Sequence, residues 1–170
     1  MTTAVVAYLA LGSNLGNPVE QLAKARAAIN AIPGVVMVRA SSLYQSPAWG
    51  STEPQPNYVN AVLAVQTRLS ARDLWLATSA IEAANGRVRD GTRNSARTLD
   101  IDLLLYGDAA MQTPDLTVPH PRMHERDFVL MPLVEIAPDA MISGYGSAHD
   151  CLRQIGPTPI QKLSHNSVWN

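Results

Sequence analysis

The chain has 170 residues, 46% of them hydrophobic, and a formal net charge of -1. That length and apolar content suit one compact domain spanning residues 1–170 and exclude disorder as the main state. The near-neutral charge removes the simplest case for nucleic-acid binding, and the single cysteine, Cys151, rules out an internal disulfide and fits a reducing compartment. Residues 4–11 are apolar without a basic leader and too short to cross a bilayer, so they read as a buried first strand of a cytoplasmic protein. Asn17, Pro18 and Glu20 then form a helix-start pattern, and Leu22, Ala25, Ile29 and Ile32 make a stripe that Arg26 interrupts. Pro33-Gly34 stops that helix, and a second strand is predicted over residues 35–44.

Residues 46–57 hold three prolines and read as a loop. Alternation over residues 58–66 predicts a third strand with Tyr58, Asn60, Val62 and Ala64 on one face. Ser70 and Asp73 open a second helix with Leu74, Ala77, Thr78 and Ile81 inward and Gly86 at its end. After an arginine-rich stretch, residues 98–106 predict a fourth strand. The order βαββαβ predicts an α+β, ferredoxin-like sandwich, an antiparallel sheet with two helices on one face. A third helix over residues 120–136, started by Pro121, begins a C-terminal helical extension.

Asp100 and Asp102 are two apart in a strand, so both carboxylates project from one face, which Leu104 and Tyr106 are expected to continue. Mg2+ takes one or two protein carboxylates plus phosphate oxygens and water, which such a pair suits. Upstream stand Arg87, Arg89, Arg93 and Arg97, whose guanidinium forks match phosphate oxygens. The residues alone leave two accounts open. One is a triphosphate site; the other is a set of surface ion pairs among the arginines, the two aspartates and Glu82. The run Gly12-Ser13-Asn14-Leu15-Gly16 lacks the lysine ending of a P-loop and reads as a tight strand-to-helix turn. An RNA-binding module of the same fold would need exposed aromatics on the central strands, where this chain offers Tyr58 and two acids.

Together these blocks resemble the 6-hydroxymethyl-7,8-dihydropterin pyrophosphokinase family. The resemblance rests on the run from Ala7 to Gly16, on Tyr58-Val59-Asn60-Ala61, on Gly86-Arg87-Val88-Arg89 through Arg97-Thr98-Leu99-Asp100-Ile101-Asp102, and on Val118-Pro119-His120-Pro121-Arg122-Met123 with Arg126 and Phe128. It implies transfer of pyrophosphate from ATP to 6-hydroxymethyl-7,8-dihydropterin, giving AMP and the pterin diphosphate, in folate biosynthesis. It implies two Mg2+ ions on Asp100 and Asp102, and catalytic roles for both aspartates with Arg87 and Arg97. Nucleotide contacts are implied for Arg89, Arg93, Leu103, Thr117, His120 and Arg126. Pterin contacts are implied for Ser46, Pro47, Tyr58, Asn60 and Phe128. A monomer with no nucleic-acid or membrane partner is expected. The chain departs from the family pattern at Ser79, where many relatives carry glutamine, and at Asn94 and Asp115, where some carry tryptophan and arginine.

Overall fold

The computed structural model of the protein describes residues 3–48, 54–85 and 99–170. Strand β1 (Val5–Ser13) turns into helix α1 (Pro18–Asn30). The Asn17 side chain accepts the Glu20 amide, and Pro18 occupies the first turn, where no N–H is needed. Leu22, Ala25 and Ile29 are buried. Arg26, which breaks that stripe, donates to the Trp169 carbonyl at 2.8 Å and lies 4.9 Å from its ring centroid. Trp169 is 3% exposed, and its indole Nε1 donates to the Ser41 carbonyl at 2.8 Å.

The strand predicted over residues 35–44 is divided into β2 (Val35–Ala40) and β3 (Tyr44–Ser46). Between them the Ser41 hydroxyl substitutes for the ladder, accepting Val62 N at 2.9 Å and donating to the Ser42 carbonyl at 2.8 Å. Next come β4 (Tyr58–Thr67), α2 (Ala71–Ala84) and β5 (Asp100–Tyr106). Ser70 caps α2 by accepting the Asp73 amide. The residues buried along α2 are Ala71, Leu74, Thr78 and Glu82, so a glutamate completes the inward stripe, while Ala77 and Ile81 are half-buried. The expected cap Gly86, the four arginines at 87, 89, 93 and 97, and Asn94 lie outside the described residues.

The chain continues through β6 (Met111–Gln112), β7 (Thr117–Val118), a single 3-10 turn (Met123–Glu125), and α3 (Asp127–Ile136). It then forms β8 (Met141–Ile142), β9 (Gly146–Ser147), α4 (Ala148–Ile155) and β10 (Gln161–Lys162). The helix predicted from residue 120 thus begins only at Asp127. Arg126 is extended (φ -106, ψ 106), and its carbonyl receives the amides of Val129 and Leu130 at 3.1 and 2.9 Å. That break lets Met123 bury completely while the chain turns into α3.

The main sheet has the order β10-β3-β4-β1-β5, with β2 also pairing β4, and every pair is antiparallel. One face carries Leu9, Leu11, Ala61, Leu63, Ile101 and Leu103 against α1 and α2. The other carries Ala10, Val62, Ala64, Leu104 and Leu105 against α3 and α4. Helices therefore cover both faces, because the C-terminal extension packs on the side the two earlier helices leave open. Among the described residues no helix is long and apolar enough to cross a membrane.

The alternation of β5 is not uniform. Tyr8 of β1 pairs Leu105 and Leu9 pairs Leu103, so Leu104 is an extra residue. This bulge puts Leu104 and Leu105 in the same core and turns Tyr106 to the opposite face, where its hydroxyl donates to the Leu69 carbonyl. The face that bears Asp100 and Asp102 thus continues into Leu104 but not, as the uninterrupted alternation predicts, into Tyr106.

Candidate active site

Paired residues of neighbouring strands share a face, so the register fixes which side chains assemble. Gly12 of β1 pairs Asp100 on one side and Asn60 on the other, and Asn60 pairs Tyr44. One row therefore runs Asp100–Gly12–Asn60–Tyr44 across four strands. The next row places Asp102 beside Ala10 and Val62, both in the core under α3. Tyr58 and Ser46 pair each other beyond the first row. All of these residues lie on the α3 face. Asp100 and Asn60 are separated by two strand spacings, roughly 10 Å.

Gly12 has a steric reason to be there. A Cβ at this position would sit 3.4 Å from Asn60 Oδ1 and 3.7 Å from Tyr58 Cδ1. The missing side chain keeps open the floor between those two residues. Asn60 is 5% exposed, and its amide is held by two acceptors, the Ser46 hydroxyl at 2.8 Å and the Tyr44 carbonyl at 3.3 Å. With Nδ2 so occupied, Oδ1 is turned toward Gly12 as an acceptor.

The segment before α3 closes the other side. The bulge frees the Leu104 carbonyl from the β1 ladder, and it accepts the His120 amide at 2.9 Å. The His120 ring accepts the Arg122 amide on Nδ1 at 3.2 Å, so the neutral ring carries its proton on Nε2. Burial, then the Arg126 charge, push the imidazole from 6.5 down to about 4, with Asp100 opposing. Burial also lowers the Arg126 pKa, and the charges of Asp102 and Asp100 work against that shift. The guanidinium therefore lies within electrostatic reach of both acids. Its Nε is buried with no hydrogen-bond partner, and the group sits 5.7 Å from the Phe128 ring centroid. An unmatched buried donor beside acids and an aromatic ring suits an anionic ligand.

The structure thus brings together Asp100, Asp102, Asn60, Tyr58, Ser46, His120, Arg126 and Phe128. Pro47 is exposed on the rim after β3, and Thr117 lies in β7, three residues before His120. Leu103 is different. Its side chain is buried in the α1/α2 core, facing away from the acids, so it can meet a nucleotide only through its backbone.

Two contributors escape the sequence reading. Glu82, 4% exposed, accepts the Ile101 amide at 2.9 Å, holding the peptide between the two aspartates. Its four-residue spacing from Thr78 was the available signal. It is a buried support rather than a surface residue. Asn14 donates to Gln55 Oε1 at 3.0 Å and to the Pro56 carbonyl at 3.2 Å, tying the end of β1 to the proline-rich segment. Asp115, one of the departures, pairs with Arg72 at 3.0 Å on the surface.

Residues 8–138 match the family described as 7,8-dihydro-6-hydroxymethylpterin-pyrophosphokinase (HPPK). The chain belongs to this family. A 2-amino-4-hydroxy-6-hydroxymethyldihydropteridine pyrophosphokinase of Haemophilus influenzae is 42% identical over 160 residues, covering 94% of this chain and 99% of that one. One from Pseudomonas aeruginosa is 47% identical over 132 residues, covering 78% and 80%. Among solved structures, HPPK-DHPS of Plasmodium falciparum with pteroate superposes with a TM-score of 0.72 at 11% identity. That match covers 91% of this chain but 43% of the other, so this chain spans less than half its length and shares the fold of that part. As a pyrophosphokinase of this family, the protein transfers the pyrophosphoryl group of ATP to hydroxymethyldihydropterin in folate synthesis.

Proposed function

We propose that the α3 face of the sheet is where this transfer occurs, with pterin over Gly12 and the triphosphate over Asp100 and Asp102. The observation that carries the reading is the cross-strand row Asp100–Gly12–Asn60, which sets an acceptor for the pterin and an acid for metal on one surface. Tyr58 and Phe128 flank the ring. The Asn60 Oδ1 reads a donor on its edge, and Ser46 and Pro47 form the wall beside it. Two Mg2+ ions fit the acids, which lie roughly 7 Å apart along one strand face. Among the described residues no third His, Cys, Asp or Glu joins them, so phosphate oxygens and water complete the shell. Bound there, the metal neutralises charge on the phosphate chain.

The chain's own groups do the remaining work. Arg126 directs its unmatched Nε toward phosphate oxygens. Neutral His120 donates from Nε2, and it holds that form at neutral pH because its pKa lies near 4. Leu103 and Thr117 line the nucleotide side. Arg89 and Arg93 contact the nucleotide from the segment outside the described residues. From the same segment Arg87 and Arg97 follow charge on the moving pair of phosphates. The pterin hydroxymethyl oxygen attacks the β-phosphorus, the bond from that phosphorus to the α-phosphate oxygen breaks, and AMP leaves. The antiparallel β3-β4-β1-β5 core with its two crossover helices supports a ferredoxin-like reading, extended by α3 and α4. We read residues 1–170 as one domain, monomeric and cytoplasmic. Chromatography of a completed reaction tests the chemistry: AMP should appear one-for-one with a pterin diphosphate. ADP as the main pterin-dependent product would overturn it.

A further inference from the structure

Glu135 lies on α3 seven residues past Phe128, about 10 Å along the helix, and takes no place in the chemistry above. Its carboxylate nevertheless collects three donors from the β2–β3 edge of the sheet. Oε1 accepts the Ser42 amide at 2.9 Å and the Tyr44 hydroxyl at 2.7 Å, and Oε2 accepts the Ser42 hydroxyl at 2.9 Å. Lys162 of β10 adds a positive charge at 3.9 Å. Burial works against the carboxylate, but the hydroxyls, the Ser42 amide and Lys162 outweigh it and hold its pKa below the usual range. Burial, then the hydrogen bond to Glu135 and its charge, push the Tyr44 phenol upward, so the pair stays carboxylate and phenol at neutral pH.

Strand β3 is only three residues long and follows the irregular break at Ser41, so only a short ladder to β4 and β10 holds it. Yet β3 supplies both acceptors that orient Asn60. The helix that carries Phe128 is thus tied, through Glu135, to the strand that aims the Asn60 amide. We infer that Glu135 is a positioning residue that sets the width of the pterin slot and, through β3, the direction of the Asn60 carbonyl. The inference rests on the pterin placement proposed above. The donors to Glu135 lie on the β3 edge, while Arg126 at the start of α3 is fixed by its own turn, so loss of Glu135 should fall on the pterin and separate the two substrates.

The test is equilibrium binding of 6-hydroxymethyl-7,8-dihydropterin and, separately, of a non-hydrolysable ATP analogue with Mg2+. It uses Glu135→Ala, Glu135→Gln and Tyr44→Phe, each at temperatures below its own unfolding transition. Removing a carboxylate that receives three donors should weaken pterin binding by about tenfold or more, and removing one donor by about threefold. Nucleotide binding should change by less than about twofold. Glu135→Gln, which keeps an acceptor for Ser42, should recover most of the pterin affinity. Tyr44→Phe, which deletes one hydroxyl, carries the test if Glu135→Ala does not fold. Equal losses for both ligands, or unchanged pterin affinity, overturn the inference while Asn60→Ala and Phe128→Ala still lose pterin. If those two variants keep their pterin affinity, the underlying placement fails instead.

Discussion

Replacing Trp169 with alanine tests whether the last residues belong to the cooperative fold. The indole is 3% exposed and packs with the α1/α2 core. Emptying a buried aromatic site costs about 3–5 kcal/mol. The indole bond to the Ser41 carbonyl adds about 1 kcal/mol and the Arg26 contact about 0.5–1 kcal/mol. Against this, the backbones of Trp169 and Asn170 regain freedom worth about 1 kcal/mol each, and the site partly collapses. The balance leaves a loss of about 3 kcal/mol, or a Tm lower by about 6–12 °C for a chain of this size. Urea unfolding followed by circular dichroism measures it, with the slope unchanged. Trp169→Phe keeps an aromatic ring but drops the donor and leaves a smaller cavity, so it should lose about 1–2 kcal/mol, less than alanine. A Trp169→Ala midpoint within experimental scatter of the parent refutes the reasoning, because the terminal segment would then unfold independently.

Asp100→Asn and Asp102→Asn should each lower turnover on the order of a thousandfold with Tm nearly unchanged; near-normal turnover in either folded protein removes the metal assignment. Gly12→Ala should fold, since its new Cβ meets neighbours at 3.4 and 3.7 Å, and should match or exceed parent stability by about 0.5–1 kcal/mol. Its methyl group fills the floor of the slot, so pterin affinity should fall by about tenfold or more, and calorimetry showing parental affinity counts against pterin over Gly12. His120 is neutral in the native state down to about pH 4, whereas the unfolded chain protonates it near 6.5. Stability should therefore decline as pH falls between those values, by at most about 3 kcal/mol. Urea midpoints from pH 4 to 8 should show that limb in the parent and lose it in His120→Asn.

The sequence was most legible where a local rule had a single physical cause. The caps at Asn17 and Ser70 appeared where side-chain oxygens meet orphan amides, and the period of two in β4 put Asn60 on the face of Val62. The pair Asp100 and Asp102 likewise shares one face. What escaped were features made by distant contacts. The break at Ser41 depends on Val62, and the burial of Trp169 depends on Arg26, 143 residues away. The late start of α3 depends on an extended Arg126 that no local pattern marks. The order of strands across the sheet follows from pairings that propensity does not encode, and the second helical layer from apolar surface left over on the first.

The extra residue at Leu104 amounts to a change of parity. On the Asp100 side of it, even-numbered positions of β5 face α3; on the Tyr106 side, even-numbered positions face α1 and α2. A strand without that step could satisfy one end only. Either Tyr106 would lose the Leu69 carbonyl, or both acids would point into the first core, away from Asn60 and Arg126. The same step releases the carbonyl that holds His120. Sequence change in this strand is consequently asymmetric in its effect. A substitution alters one contact, whereas a one-residue deletion between the acids and the tyrosine exchanges the inside and outside of half the strand.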